Sequence, residues 1–199
     1  MMDQFSTAMG GCIYLSQKPF QIKKMHPNLG KFVLGNSKQP KDTLGILRRC
    51  RDQRILMMKK LKKRYPDLGF RDCEMEHGNS ILNSKEKKLL EATIKNREIL
   101  FQAKIELSRK KLDHAKIGKL LLDHHKVLRD LLNISTDKIE KMIDVSMNAG
   151  AIGAKINGSG GGGCMFAYAP DDPQRVANAI NKVGGHATII HSGDGVRIA

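Results

Sequence analysis

Five glycines and a serine, Gly158-Ser159-Gly160-Gly161-Gly162-Gly163, lie between two apolar segments, Ala154-Lys155-Ile156-Asn157 and Cys164-Met165-Phe166-Ala167-Tyr168-Ala169. Lacking Cβ atoms, such a run lets the backbone approach a ligand closely and turn successive N–H groups toward an anion. The run fits the spacing GxGxxG, but the segment after it, Cys164–Ala169, reads as a strand. The dinucleotide-binding fingerprint needs a helix at that point. No GxxxxGK(S/T) sequence occurs, so a Walker-type phosphate loop is excluded. Two readings stay open on chemistry alone: an anion-binding loop, or a hairpin that needs glycine only for its dihedrals.

The other chemistry-bearing residues are less pointed. His124 and His125 stand beside Asp123, but neighbours on a helix point about 100° apart and chelate poorly, so one packed or hydrogen-bonded histidine is favoured over a metal pair. His186 and His191 fall on opposite faces of a strand, which disfavours joint ligation. Cys164 closes the glycine run in an apolar context and reads as a buried thiol rather than a nucleophile. The basic cluster Arg48, Arg49, Arg51, Arg54, Lys59, Lys60, Lys62, Lys63 and Arg64 could meet nucleic acid through phosphate contacts. It has few aromatics for base stacking, and aromatic content is only 5% overall, so a solvated helix face is the preferred reading.

These residues need elements to hold them. Phe5, Ala8 and Met9 suggest a short helix, then Cys12-Ile13-Tyr14-Leu15 a strand. Lys31-Phe32-Val33-Leu34-Gly35 reads as a strand ending at the turn Asn36-Ser37-Lys38-Gln39-Pro40. Apolar residues at spacings of three and four predict helices over 43–64, 85–108 and 113–132. Ser135 reads as the N-cap of a further helix through Ile139, Met142, Ile143 and Met147, closed by Gly150. Pro173 opens a helix stopped by Gly184-Gly185, and His186–Ile190 and Gly195–Ile198 finish as strands. The pattern is α+β: an antiparallel sheet with packed helices.

Composition bounds the function. The 199 residues carry 35 Lys+Arg against 20 Asp+Glu, a net charge of +15. All of that excess lies before residue 131; beyond it the two signs balance. No apolar run approaches the length of a membrane span, and no signal-peptide stretch opens the chain. Cys12, Cys50, Cys73 and Cys164 form no CxxC pair, which argues against a zinc site or disulfide framework and for the cytoplasm.

The segment Gly150–Cys164 resembles the third motif of the GHMP kinases (galactose, homoserine, mevalonate and phosphomevalonate kinases), with Asn157 where that family usually has threonine. His125, then Ile134-Ser135, then Ala149-Gly150 follow the family's order. Met2-Asp3-Gln4-Phe5 resembles the galactokinase segment that carries the catalytic aspartate, and Asn36-Ser37 resembles its Asn-Ser turn.

The resemblance implies an ATP-dependent kinase that uses Mg²⁺ and phosphorylates a sugar hydroxyl. Asp3 would accept the hydroxyl proton, Gly158, Ser159, Gly160, Gly161, Gly162 and Gly163 would shape the site around the phosphates, and Asn36 and Ser37 would meet the substrate. It divides the chain into residues 1–35, a remnant of the N-terminal domain, and 36–199, the C-terminal domain. The family's first two motifs precede its aspartate and have no counterpart here. The tyrosine that galactokinases offer the sugar is also unmatched, Leu44-Gly45-Ile46-Leu47 standing in its place. The expectation is therefore an incomplete kinase, truncated or paired with a separate N-terminal half, with no membrane partner and with nucleic acid disfavoured. The contrasting expectation is a non-catalytic binding or regulatory protein of the same fold, with its basic face as a contact for nucleic acid.

Overall fold

The computed structural model describes residues 2–17, 19–41 and 43–196. A short helix, α1 (Met2–Met9), leads into a hairpin of β1 (Cys12–Gln17) and β2 (Phe20–Met25). β3 (Phe32–Asn36) comes next, then α2 (Thr43–Lys62), α3 (Ser84–Leu107), α4 (His114–Lys126) and α5 (Asp137–Asn148). β4 (Gly153–Ile156), β5 (Cys164–Tyr168), α6 (Pro173–Lys182) and β6 (His186–Ile190) complete the chain. Among the described residues no helix is long and apolar enough to cross a membrane.

The fold centres on a four-stranded antiparallel sheet in the order β4-β5-β3-β6. Period-two alternation gives each strand two faces. Val33, Met165 and Ala167 point one way, into a core closed by Ile139, Met142 and Ile143 of α5 and Val176, Ala177 and Ile180 of α6. On the other face Phe32 stacks on Tyr168 at 4.6 Å, and Tyr168 meets His114 at the start of α4 at 2.5 Å. A second core joins Met57, Met58 and Leu61 of α2 to Leu89, Leu90 and Ile94 of α3, and Leu132 packs against both cores.

Local signals set the helix limits. Asn83 and Glu86 exchange hydrogen bonds in a capping box at the start of α3. Asp113 and Asp172 cap α4 and α6. The expected cap Ser135 is displaced by its neighbour: Thr136 accepts from the Ile139 amide, while the Ser135 hydroxyl donates to Glu140. The helix expected over 113–132 ends at Lys126 and continues as a π turn, Val127–Leu131. β2 is an addition to the expected elements; with Lys23 and Lys24 exposed, its sequence lacks the apolar alternation of a half-buried strand. Of the strand expected at 195–198, Gly195 and Val196 are irregular and the rest lies outside the described residues. The boundary expected after residue 35 falls inside β3, all five residues of which pair with both β5 and β6.

Candidate phosphate-binding site

The sheet register brings the Asn-Ser turn and the glycine run together. Asn36, the last residue of β3, pairs with Cys164, the first of β5, so the chain leaving β3 runs directly against the loop entering β5. The buried Ser37 donates from its hydroxyl (2.7 Å) and its amide (2.8 Å) to the Gly163 carbonyl. Through both groups Ser37 holds the loop against the end of β3. Asn36 is exposed at the rim, its Oδ1 accepting the Lys38 amide at 2.8 Å.

The loop itself depends on glycine. Gly158, Gly160, Gly161, Gly162 and Gly163 all have positive φ, from 71° to 110°. A Cβ at Gly160 would lie 2.5 Å from the Ile134 carbonyl oxygen, and one at Gly162 would lie 2.6 Å from that of Pro40. The open choice between an anion loop and a plain hairpin is narrowed by where the amides go. Two brace the loop: Gly161 N–H donates to Ile134 O at 2.7 Å and Gly163 N–H to Gln39 O at 3.3 Å. The amides of Gly158, Ser159, Gly160 and Gly162 have no hydrogen-bond acceptor among the described residues. Gly160 and Gly162 are buried, where an unpaired amide is costly and an anionic oxygen would satisfy it.

The surroundings are cationic. Lys41 reaches across the loop, its Nζ 3.4 Å from the Asn157 carbonyl oxygen. Ser159 Oγ lies 3.5 Å from Oγ1 of Thr43, the first residue of α2, so the positive end of a 20-residue helix borders the loop. Lys41, Gln39 and Ile134 were not among the expected site residues. A lysine between a proline and a helix start was the one legible hint; the carbonyl braces are long-range and leave no mark in sequence.

Beneath the loop, buried His125 places Nε2 2.9 Å from Glu140 Oε1, and Arg129 holds Glu140 Oε2 at 3.1 Å. Burial pushes the His125 imidazole below its ordinary range, against the pull of Glu140. Burial raises the Glu140 carboxyl, but hydrogen bonds from Ser135, Arg129 and His125 outweigh it and hold the group below the usual carboxylate range. This network ties α4 to the start of α5, and through Ile134 to the glycine loop.

Asp3 is the remaining expected site residue. It is exposed in the first turn of α1, and its carboxylate has no hydrogen bond or ion pair among the described residues. No bond joins it to the glycine loop. Among the described residues no group of three His, Cys, Asp or Glu side chains could hold a metal ion. The loop thus fits the phosphates of a nucleotide, whereas a magnesium ion would need ligands from those phosphates, from water or from outside this set.

This α+β domain has a glycine loop whose amides at Gly158, Ser159, Gly160 and Gly162 lack an acceptor among the described residues, beside Lys41, and such donors suit an anion. Residues 104–186, under half of the chain, match the family described as GHMP kinases C terminal. A mevalonate kinase of Thermococcus gammatolerans is 44% identical over 89 residues, 44% of this chain and 26% of that protein. A galactokinase of Clostridium tetani is 27% identical over 202 residues, 94% of this chain and 51% of that protein. The Lactococcus lactis galactokinase complexed with galactose superposes with a TM-score of 0.82 at 18% identity, covering 98% of this chain and 54% of that one. The L. major mevalonate kinase in complex with R-mevalonate gives a TM-score of 0.58 at 16% identity over 88% of this chain. The chain therefore spans a quarter to a half of the length of these curated relatives.

Proposed function

We propose that this chain forms the C-terminal part of the active site of an ATP-dependent kinase that transfers the γ-phosphate to an alcohol group of a small molecule, with a sugar hydroxyl as the acceptor. The observation that carries this reading is the glycine loop: four amides on it lack an acceptor among the described residues, with Lys41 and the first turn of α2 beside it. Oriented N–H groups and a fixed cation are what phosphoryl transfer asks of a protein, since the step depends on positioning and electrostatic stabilisation. Bound MgATP supplies the transferable phosphoryl group and the metal that neutralises its oxygens. Asp3 is assigned the acceptor proton and Asn36, at the rim, a substrate contact; Ser37 keeps the loop in place.

The sugar reading draws support from the galactokinase likeness along nearly the whole chain. A second acceptor, mevalonate, is favoured by the higher identity to archaeal mevalonate kinases over part of it. Both readings require a complementary N-terminal half carrying the family's other two motifs, in the same polypeptide or supplied in trans. The cations of α2 do not argue for nucleic acid: Arg49 caps the Leu132 and Asn133 carbonyls, Arg54 donates to Thr93, and Lys60 pairs with Glu86.

The test combines the chain with the N-terminal half of the Clostridium tetani galactokinase and monitors ADP release with galactose, other hexoses and mevalonate. Acceptor-dependent turnover that is lost on Gly162→Ala supports the kinase reading, and the preferred acceptor decides between sugar and mevalonate. Reconstituted protein that binds neither MgATP nor any acceptor would establish the non-catalytic alternative.

A further inference from the structure

The buried His125 stands between the two points at which the glycine loop is tied down. β4 is an edge strand of the four-stranded sheet, with a neighbouring strand on one side only. The amide of Ile156, the last residue of β4, donates instead to His125 Nδ1 at 3.4 Å. On the other side of the ring, Nε2 lies 2.9 Å from Glu140 Oε1, the oxygen that also accepts the Ser135 hydroxyl. Ser135 follows Ile134, whose carbonyl receives the Gly161 amide at 2.7 Å. The Ile134 amide donates at 3.1 Å to Leu128 O, in the π turn that succeeds His125. Such turns are frequent at functional sites, and this one also brings Arg129 to Glu140 Oε2 at 3.1 Å. The loop is therefore held at its entry through Ile156 and at its middle through Ile134, and one imidazole–carboxylate pair backs both. The amides of Gly158, Ser159, Gly160 and Gly162, without an acceptor among the described residues, lie between and beside those two points.

We propose, on the reading of the loop as a phosphate site, that His125 and Glu140 are its positioning residues: they fix its entry and its middle so that the free amides stay turned toward the anion. The arrangement demands one protonation state. A carboxylate only accepts, so the imidazole proton sits on Nε2, and the lone pair left on Nδ1 is what the Ile156 amide needs. A second proton would set N–H against N–H and release the entry of the loop. The charged and titratable groups around the ring are Glu140 on α5, Arg129 and Asp130 in the π turn, Lys155 on β4, and His124, which itself faces the groove between α3 and α4. Burial, aided by Arg129 and Lys155, keeps the ring neutral against the pull of Glu140. Added positive charge by itself draws an anion in, so simple electrostatics makes binding tighter as the pH falls. A positioning role makes it weaker.

Sulfate, whose double charge does not change between pH 7.5 and pH 5, is the probe, titrated into the 199-residue chain and monitored by amide NMR shifts. The unaltered chain is expected to bind it through the loop amides at pH 7.5 and several-fold more weakly at pH 5, with unmoved signals from α6 as the check that the fold persists. His125→Gln still offers an N–H and an acceptor but does not titrate, so it should keep the neutral-pH affinity and lose the acid weakening. Ser135→Ala parts Glu140 from the segment that holds Gly161. It should speed hydrogen exchange at the Gly161 amide and weaken sulfate about ten-fold, the scale on which partners behind a ligating group act at metal sites. Should either variant misfold, the pH profile of the unaltered chain still decides. Sulfate affinity that rises on acidification, or Ser135→Ala with both affinity and Gly161 exchange unchanged, would overturn the positioning role. A chain that binds no sulfate at either pH, with Gly161 exchange still faster in Ser135→Ala, would instead remove the phosphate reading and leave the pair bracing a loop that has no anion to present.

Discussion

His125 turns inward to Glu140, whereas His124, one residue earlier, faces the α3–α4 groove near Lys155. Both imidazoles are held below their ordinary range, so the unfolded chain binds their protons more readily than the folded one. Stability is complete above the unfolded value near 6.5 and falls as the pH drops toward the folded one. For His124, at about 4, the loss reaches on the order of 3 kcal/mol by pH 4. Glu140, also depressed, adds to the same acid-side loss as pH falls through its folded value. Urea midpoints compared at pH 7 and pH 4.5 should show it, and His124→Phe should flatten the difference. Lys155 has the same sign in a higher pH window. Burial brings its ammonium down to about 8, so its cost is fully present below pH 8 and is relieved between pH 8 and the unfolded value near 10.5. Lys155→Met is expected to stabilise the fold at pH 7 by about 1 kcal/mol, since the lost Ile156 hydrogen bond offsets part of the gain. In that variant the His124 titration, recorded by imidazole NMR, should move upward, one repelling charge having gone.

The glycines decide how elements meet. Gly118 sits inside α4, where alanine would ordinarily favour the helix by about 1 kcal/mol. Here a Cβ would lie 2.1 Å from the Ile152 carbonyl oxygen, backbone that cannot step aside without parting α4 from β4. The contact wins over propensity, and Gly118→Ala should lower stability by about 3 kcal/mol or more, read by thermal or urea unfolding. Gly160→Ala meets both a positive φ and the Ile134 carbonyl, whereas Gly150→Ala, also at positive φ, has open space. The first should cost well over the second's about 1–2 kcal/mol, and only the first should abolish phosphate binding. At this scale the sequence was partly legible. The apolar spacing of α3 and α4 and the strand on either side of the glycine run come from local pattern. The π turn after Lys126, the edge-like β2 and the role of Ser37 do not, because each is settled by partners far along the chain: Leu132 against two cores, β1 against β2, and Gly163 against Ser37. The loop could be read as glycine-rich and anion-ready; which amides are spent on Ile134 and Gln39 could not.

The whole molecule holds α1 by one end. Gly10 bridges Asp194, the Gly11 amide donates to Gly193 O at 2.8 Å, the Val196 amide donates to Ala8 O at 3.0 Å, and Lys24 Nζ donates to Met9 O at 2.9 Å. Residues 193–196, just beyond β6, thus fix the C-terminal end of α1, and the close approach of Gly10 to Gly195 leaves no room for a side chain there. The opposite end, with Asp3, is exposed and makes no bond through its carboxylate among the described residues. A structural carboxylate would lose partners on replacement, but Asp3 has none to lose among the described residues. Asp3→Asn should therefore leave the melting temperature unchanged, within about 0.5 kcal/mol of stability. In the enzyme reconstituted with an N-terminal half it should lower kcat by about 10²–10⁴-fold, the usual worth of a positioned base, with KM for ATP little moved. Gly195→Val, aimed at the anchor instead, should loosen α1, lower kcat and also increase hydrogen exchange in α1 and β1, which Asp3→Asn should not. Full activity in Asp3→Asn would remove the proton-accepting role from this residue, and with it the argument that α1 is held at one end to present it.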